Sequence, residues 1–189
     1  MNGELAIAPR FRVVTEAPAV PDERTIVVTP GRAFGDGHHE TTQLCVQAVG
    51  ALAPRGRPWT FLDWGSGSGI LSIAAVKLGA TAIGIDIDED ANRAAARNAE
   101  LSGVNATFGR DLPPGTFDLV VANILRDVLL ALAEPITAGV APGGTLVLSG
   151  LVSTDVPALT ARYAKLLAGR RPEVYERGSW RALAWRSLL

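Results

Sequence analysis

Three groups of residues have the types and spacing to do chemistry. In the first, Phe61-Leu-Asp-Trp-Gly-Ser-Gly-Ser-Gly-Ile70, apolar residues run into Asp63 and glycines then fall at Gly65, Gly67 and Gly69. Glycine is needed where backbone must turn sharply or approach a ligand closely. A helix opening at Ile70 would present N–H groups that favour negative charge. The second group is Gly84-Ile-Asp-Ile-Asp88, which sets Asp86 about 20 residues beyond the loop, where a carboxylate can take both hydroxyls of a ribose. The third is Phe117-Asp-Leu-Val-Val-Ala-Asn123, an apolar run that ends on an amide side chain.

The first two groups together describe a site for an adenosine bearing a charged amino-acid tail, and the expected cofactor is S-adenosylmethionine. A nicotinamide dinucleotide wants Gly-x-Gly-x-x-Gly, whose third glycine would fall at Ile70 rather than Gly69. Asp63 is expected to accept from the methionyl amine, directly or through water, and the free N–H groups of the opening helix to favour the methionyl carboxylate. Ile87 is placed in the site beside Asp86. Asp88 reads as a helix cap or a cofactor contact. Asp111 meets the adenine amino group or is a solvated turn aspartate. Asn123 either accepts a hydrogen bond from an attacking amine, turning the nitrogen lone pair toward the methyl, or caps a helix. His38-His39-Glu40 invites a metal reading, but the chain has no other histidine and adjacent side chains diverge, so no metal is expected.

The elements that must position these residues alternate. Strands are predicted at 59–63, 82–86, 105–108, 117–123 and 145–149, with helices at 70–78, 88–101, 125–137 and 156–167. Pro135 is expected to bend or shorten the third of these helices. Gly178-Ser179 reads as a hairpin turn between strands 172–176 and 180–187. Alternation of this kind implies an α/β, Rossmann-like, doubly wound sheet. Its closing hairpin makes the last strand antiparallel, the mark of a seven-stranded class I methyltransferase sheet. Residues 1–30 read as a β extension, with 11–14 and 25–29 as a small hairpin or an edge addition and Pro18 and Pro21 marking the turn between them. Residues 31–189 form the main domain, and Thr41 or Thr42 is expected to cap its first helix.

Composition narrows the function classes. A 48% hydrophobic, 20% charged chain is globular, and a net charge of −1 offers no footprint for nucleic acid. Cys45 is the single cysteine, which excludes an internal disulfide. No apolar run approaches the ~18 residues of a membrane span, and no signal peptide is evident, so a cytoplasmic protein is expected.

Two further stretches carry a family resemblance. Asn123-Ile-Leu125 resembles the Asn-Ile-Leu motif of the PrmA family, the ribosomal-protein lysine methyltransferases. Pro30-Gly-Arg-Ala-Phe-Gly-Asp-Gly-His-His-Glu-Thr-Thr42 is similar to that family's Pro-Gly-x-Ala-Phe-Gly-Thr-Gly-x-His-x-Thr-Thr loop. The resemblance implies that this loop folds over the cofactor, with Phe34, Gly35, Thr41 and Thr42 as contacts, and that Asn123 orients the acceptor amine. It further implies a protein lysine or α-amino group as acceptor. The family's N-terminal recognition domain is expected to be absent, which keeps a small-molecule amine or hydroxyl open as an alternative acceptor. A non-catalytic cofactor-binding protein is the remaining alternative. Asp36 and Glu40 stand where the family usually has Thr and Pro, and this extra negative charge suits a cationic substrate.

Overall fold

The computed structural model of the 189-residue chain describes residues 5–8, 11–18, 20, 22–31 and 34–188. Pro21 and the other undescribed positions of the predicted extension lie outside that set.

Short β-branched and apolar runs pair into two sheets. The smaller contains β1 (Leu5–Ala8), β2 (Phe11–Val14) and β3 (Thr25–Val27), in that order. The larger is seven-stranded, with β4 (Trp59–Trp64), β5 (Ala80–Ile85), β6 (Thr107–Gly109), β7 (Phe117–Asn123), β8 (Val140–Val152), β9 (Glu173–Arg177) and β10 (Trp180–Leu188) in the order β6-β5-β4-β7-β8-β10-β9. From β6 to β8 all pairings are parallel, and β10 runs antiparallel to both neighbours. This is the sheet expected from the alternation of elements.

Among the described residues, six α-helices connect the strands: α1 (Glu40–Leu52), α2 (Ile70–Lys77), α3 (Glu89–Leu101), α4 (Arg126–Ala131), α5 (Ala133–Ala138) and α6 (Val156–Leu166). They cover the two faces of the large sheet, because side chains alternate along each strand. Phe61, Leu119, Val121, Val147, Ala182 and Ala184 enter one apolar cluster with α1, α2 and the small sheet. Their neighbours Leu62, Val120, Ala122, Leu146, Leu148, Leu183 and Trp185 enter a second cluster with α4, α5 and α6. Strands buried on both faces read as near-continuous apolar runs, which is why β7 shows little polar alternation.

The chain winds outward from β4 through β5 to β6, then returns to place β7 on the other side of β4. The carboxyl ends of β4, β5 and β7 therefore meet at a topological switch point, the place where open α/β sheets bind ligands.

Several local expectations are corrected. β2 and β3 pair in parallel, not as a hairpin, while β1 pairs antiparallel with β2. The small sheet is tied to the main body by Val27 N, which donates to Ser102 Oγ at 2.8 Å, and by Lys77 Nζ, which reaches the carbonyls of Asp22 and Ser102 at 2.9 Å each. The predicted 125–137 helix is two helices with a break at Leu132, and Pro135 lies in the first turn of the second, where a missing N–H costs little. Pro142-Gly143-Gly144 lies within β8.

Candidate active site

The glycine loop is held from beneath. Gly65, Gly67 and Gly69 all have positive φ (76°, 52° and 78°), a backbone region closed to most side chains. Gly65 N and Ser66 N donate to the Ile85 carbonyl at 2.8 and 3.0 Å, and Gly67 N donates to Asp86 Oδ2 at 3.0 Å. Ser68 N donates to the Phe34 carbonyl at 2.9 Å, and Gly69 N to the Ser66 carbonyl at 2.8 Å. Every amide from Gly65 to Gly69 is thus engaged within the protein. The loop is therefore preorganised.

The glycines have separate duties. A Cβ on Gly65 would lie 2.3 Å from Ile124 Cγ2, and one on Gly67 would lie 2.5 Å from the Phe34 carbonyl oxygen. Both line a cavity of about 700 Å³. Gly69 does not line it; a Cβ there would meet Ala95 at 2.8 Å and the Phe108 ring at 2.9 Å, so its role is close packing of α2 on α3 and β6.

Asp86 follows β5 directly and lines the cavity. Its Oδ2 braces Gly67 and its Oδ1 accepts from Asp88 N at 3.0 Å. Each carboxyl oxygen keeps acceptor capacity toward the cavity. Asp88 caps α3, accepting from Asp90 N at 2.9 Å, and also lines the cavity. Ile87 sits at the rim, 86% exposed. Asp111 is turned out to solvent, and its chain neighbours Arg110 and Leu112 line the cavity in its place.

The opposite wall comes from residues 34–41 and the last hairpin. Phe34, His39 and Trp180 form an edge-to-face aromatic series, with centroids 5.3 Å apart for Phe34–His39 and 4.8 Å for His39–Trp180. All three line the cavity. His39, not Thr41 or Thr42, is the N-cap of α1: its Nδ1 accepts from Thr41 N at 3.3 Å and lies 2.7 Å from Thr41 Oγ1. Thr41 lines the cavity; Thr42 and Gly35 are buried behind it. Asp36, His38 and Glu40 are exposed and outside it.

Asn123 ends β7, opposite Ser149 of β8. The Asn123–Ile124 corner is wedged between two glycines, because a Cβ on Gly150 would come within 2.6 Å of the Ile124 carbonyl oxygen. The helix-cap alternative fails: α4 begins at Arg126 with Leu125 as an N-cap that makes no side-chain hydrogen bond. Asn123 lines the cavity, and its Oδ1 is a buried acceptor without a partner among the described residues. A buried unpaired polar atom carries a desolvation cost that an incoming donor removes.

Asp63 is 1% exposed and outside the cavity. Its Oδ2 accepts from Ser72 N and Oγ at 3.2 and 3.0 Å, so it anchors α2 beneath the glycine loop. Burial pushes its carboxyl up from 3.8 to about 7, with the hydrogen bonds from Ser72 opposing the shift. Because the folded state holds the proton more tightly than the unfolded chain, this group's contribution is full below pH 4 and is lost as pH rises toward 7. Asp63→Asn removes that dependence. In urea titrations from pH 4 to 8, the wild type should lose stability relative to the asparagine variant on the order of a few kcal/mol, levelling off above pH 7. Parallel pH curves for the two proteins would refute this account.

Trp64 and Leu125, which the motifs contain, complete the lining together with residues that sequence reasoning passed over, Ala91, Arg110, Leu112, Val128 and Trp180 among them. Only the hydrophobicity of Leu125 and Val128 around a helix start offered a signal, since both remain exposed (75% and 39%).

The geometry can be compared with known proteins. The family model described as ribosomal protein L11 methyltransferase (PrmA) matches residues 2–187. A protein of Xanthomonas axonopodis pv. citri named ribosomal protein L11 methyltransferase is 44% identical over 165 residues, covering 84% of this chain and 54% of the relative. One of the same name from Geobacter sulfurreducens is 44% identical over 88% of this chain and 56% of its own length. The chain thus spans about half the length of the curated relatives it matches. The solved structure of a ribosomal protein L11 methylase from Lactobacillus delbrueckii subsp. bulgaricus aligns with a TM-score of 0.82 at 30% identity, over 97% of this chain and 98% of that one.

Proposed function

Because the chain belongs to the ribosomal protein L11 methyltransferase (PrmA) family, we propose that it is an S-adenosylmethionine-dependent N-methyltransferase acting on a protein lysine or α-amino group in the cytoplasm. The observation that carries this reading is the unpartnered Asn123 Oδ1 in the wall of the cavity that also contains Asp86. A ribose-binding carboxylate and an orphan acceptor thus share one chamber, as transfer between a nucleoside donor and an N–H acceptor requires.

The residues fit the cofactor. Asp86 would hold the ribose hydroxyls, with Ile87 and Leu112 as apolar surfaces beside the adenine. Gly65 and Gly67 would let the amino-acid tail lie against backbone, and Phe34 and Thr41 would close over it. Asp63, Gly69, Gly35, Thr42 and Asp111, assigned to cofactor binding from the sequence, support or flank the cavity wall instead. When bound, the cofactor supplies an already activated sulfonium methyl.

The chain's own contribution is then position and desolvation. Asn123 Oδ1 would accept one N–H of a neutral amine and hold its lone pair in line. The apolar lining from Leu125, Val128, Leu132 and Trp180 disfavours an ammonium, which lowers the pKa of a lysine from its usual ~10.4. A strong general base is therefore unnecessary. The division into a β extension over 1–30 and a methyltransferase domain over 31–189 belongs to this proposal and is supported by the separate three-stranded sheet.

A protein acceptor is favoured by the names of the relatives; no observation here favours a small molecule. Incubating the purified chain with methyl-labelled cofactor and either ribosomal protein L11, host lysate or free amines decides the matter. Label in protein amines is expected. Label confined to small molecules would overturn the choice of acceptor, and absence of any cofactor binding would overturn the whole reading.

A further inference from the structure

One buried pair of polar side chains has no part in the chemistry above. Asn98 lies on α3 and Ser68 in the glycine loop; both are 1% exposed, and neither lines the cavity. A buried asparagine on the inner face of a helix is costly unless its amide is satisfied on both sides. Here it is: Asn98 Oδ1 accepts from Thr29 N at 3.0 Å and Thr29 Oγ1 at 2.9 Å, while Asn98 Nδ2 donates to the Ser68 carbonyl at 2.9 Å. Ser68 passes the connection on. Its N donates to the Phe34 carbonyl at 2.9 Å, and its Oγ donates to the Gly35 carbonyl at 2.6 Å.

Thr29 stands at the near end of the 30–42 loop, and Phe34 and Gly35 lie further along it. Thr29 is therefore tied to the Asn98 side chain, Phe34 to the Ser68 N–H and Gly35 to the Ser68 hydroxyl, and Asn98 joins these attachments through the Ser68 carbonyl. The fit is close, because a Cβ on Gly35 would lie 3.0 Å from Ser68 Oγ and one on Gly67 would lie 2.5 Å from the Phe34 carbonyl oxygen. What hangs on the attachment is the cavity's aromatic wall: Phe34 packs against His39, and His39 against Trp180.

We propose that Asn98 and Ser68 are positioning residues that latch the 30–42 loop onto the glycine loop, setting Phe34 and the aromatic wall in place before any ligand arrives. The proposal rests on the cofactor-site reading above and adds to it two residues that touch neither cofactor nor acceptor. Preorganisation of this kind shows as affinity, since binding no longer has to order the loop. Asparagine is required because one side must accept and the other donate; an aspartate would keep the Thr29 contacts but oppose the Ser68 carbonyl with a buried charge.

The test compares Asn98→Ala, Asn98→Asp, Ser68→Ala and the double alanine variant by calorimetry with S-adenosylhomocysteine. Hydrogen exchange of the ligand-free proteins is measured in parallel. Each single variant should weaken binding by about tenfold. The double variant should lose less than the sum of the singles, because Asn98 and Ser68 are joined through the Ser68 carbonyl and hold two points of one stretch of chain. Residues 34–38 should exchange faster while α3 stays protected. Asp118→Ala is the control: Asp118 holds Thr60 N at 2.8 Å at the far, amino-terminal ends of β4 and β7, so its loss should lower thermal stability without moving affinity. Should Asn98→Ala not fold, Ser68→Ala decides alone, since it removes one hydroxyl. Unchanged affinity and unchanged exchange in Ser68→Ala, or an equal affinity loss in Asp118→Ala, would overturn the latch. Failure of the wild type to bind S-adenosylhomocysteine would instead overturn the cofactor reading, with the exchange experiment still reporting on the latch.

Discussion

Asn123→Ala is expected to lower turnover by about a hundredfold or more while changing cofactor affinity far less. The side chain ends β7 in register with Ser149, and its backbone corner is clamped between Gly65 and Gly150. Its Oδ1 is therefore delivered by rigid elements, and it finds no partner among the described residues. Alanine removes the one acceptor that orients the attacking nitrogen and leaves the Asp86 side of the cavity intact. Asn123→Asp separates orientation from charge. The carboxylate still accepts the hydrogen bond, but it stabilises an ammonium, so the acceptor's pKa rises and the pH–rate profile should move to higher pH. Single-turnover rates across pH, with affinities from calorimetry, check both variants. An alanine variant turning over at the wild-type rate would remove Asn123 from the chemistry.

The sequence made one half of the site legible and hid the other, for a physical reason. Gly65, Gly67, Asp86 and Asn123 each sit where a strand ends, and a strand end is a local signal: an apolar run, then a glycine, an acid or an amide. The aromatic wall has no such signature. Trp180 comes from the final hairpin and meets His39 only because β10 inserts between β8 and β9, a long-range pairing that local patterning does not encode. His39 was also masked by its type, since histidine is an uncommon N-cap, yet its Nδ1 takes the place of the hydroxyl or carboxylate oxygen that usually caps. The misplaced acids share one cause. Asp63 and Asp111 have the right chemistry at the right strand ends, but burial under α2 and a turn toward solvent take them out of the cavity. Residue type and spacing gave the strand; only packing gives the direction in which a side chain leaves it. The small sheet fails likewise: two β-rich runs around prolines suggest a hairpin, but the connection from β2 to β3 brings them together in parallel.

The second large effect is expected at Asp86. Asp86→Ala should weaken binding of S-adenosylhomocysteine by about two to three powers of ten, the loss expected for two hydrogen bonds to a charged acceptor. Part of that loss is indirect. The carboxylate also receives Gly67 N and Asp88 N, so its removal loosens the cradle on one side and the start of α3 on the other. Asp86→Asn distinguishes the two contributions. It preserves shape, but one of its two terminal atoms becomes a donor, and that atom must face either a backbone N–H or a ribose hydroxyl. If it faces the ribose, the hydroxyl can still turn to accept, and affinity falls by about tenfold; if it faces Gly67, the loop itself is disturbed. Protection of the Gly67 amide in exchange experiments tells these apart. Because Asp86 also accepts Asn92 Nδ2 through its own carbonyl at 2.9 Å and donates its N to Gly109 at 3.0 Å, its backbone is fixed independently of the side chain. The alanine variant should therefore fold, and its circular dichroism and thermal transition without ligand should stay close to wild type. Undiminished affinity in a folded alanine variant would mean that the sugar is held elsewhere and that the strand-end carboxylate serves the loop alone.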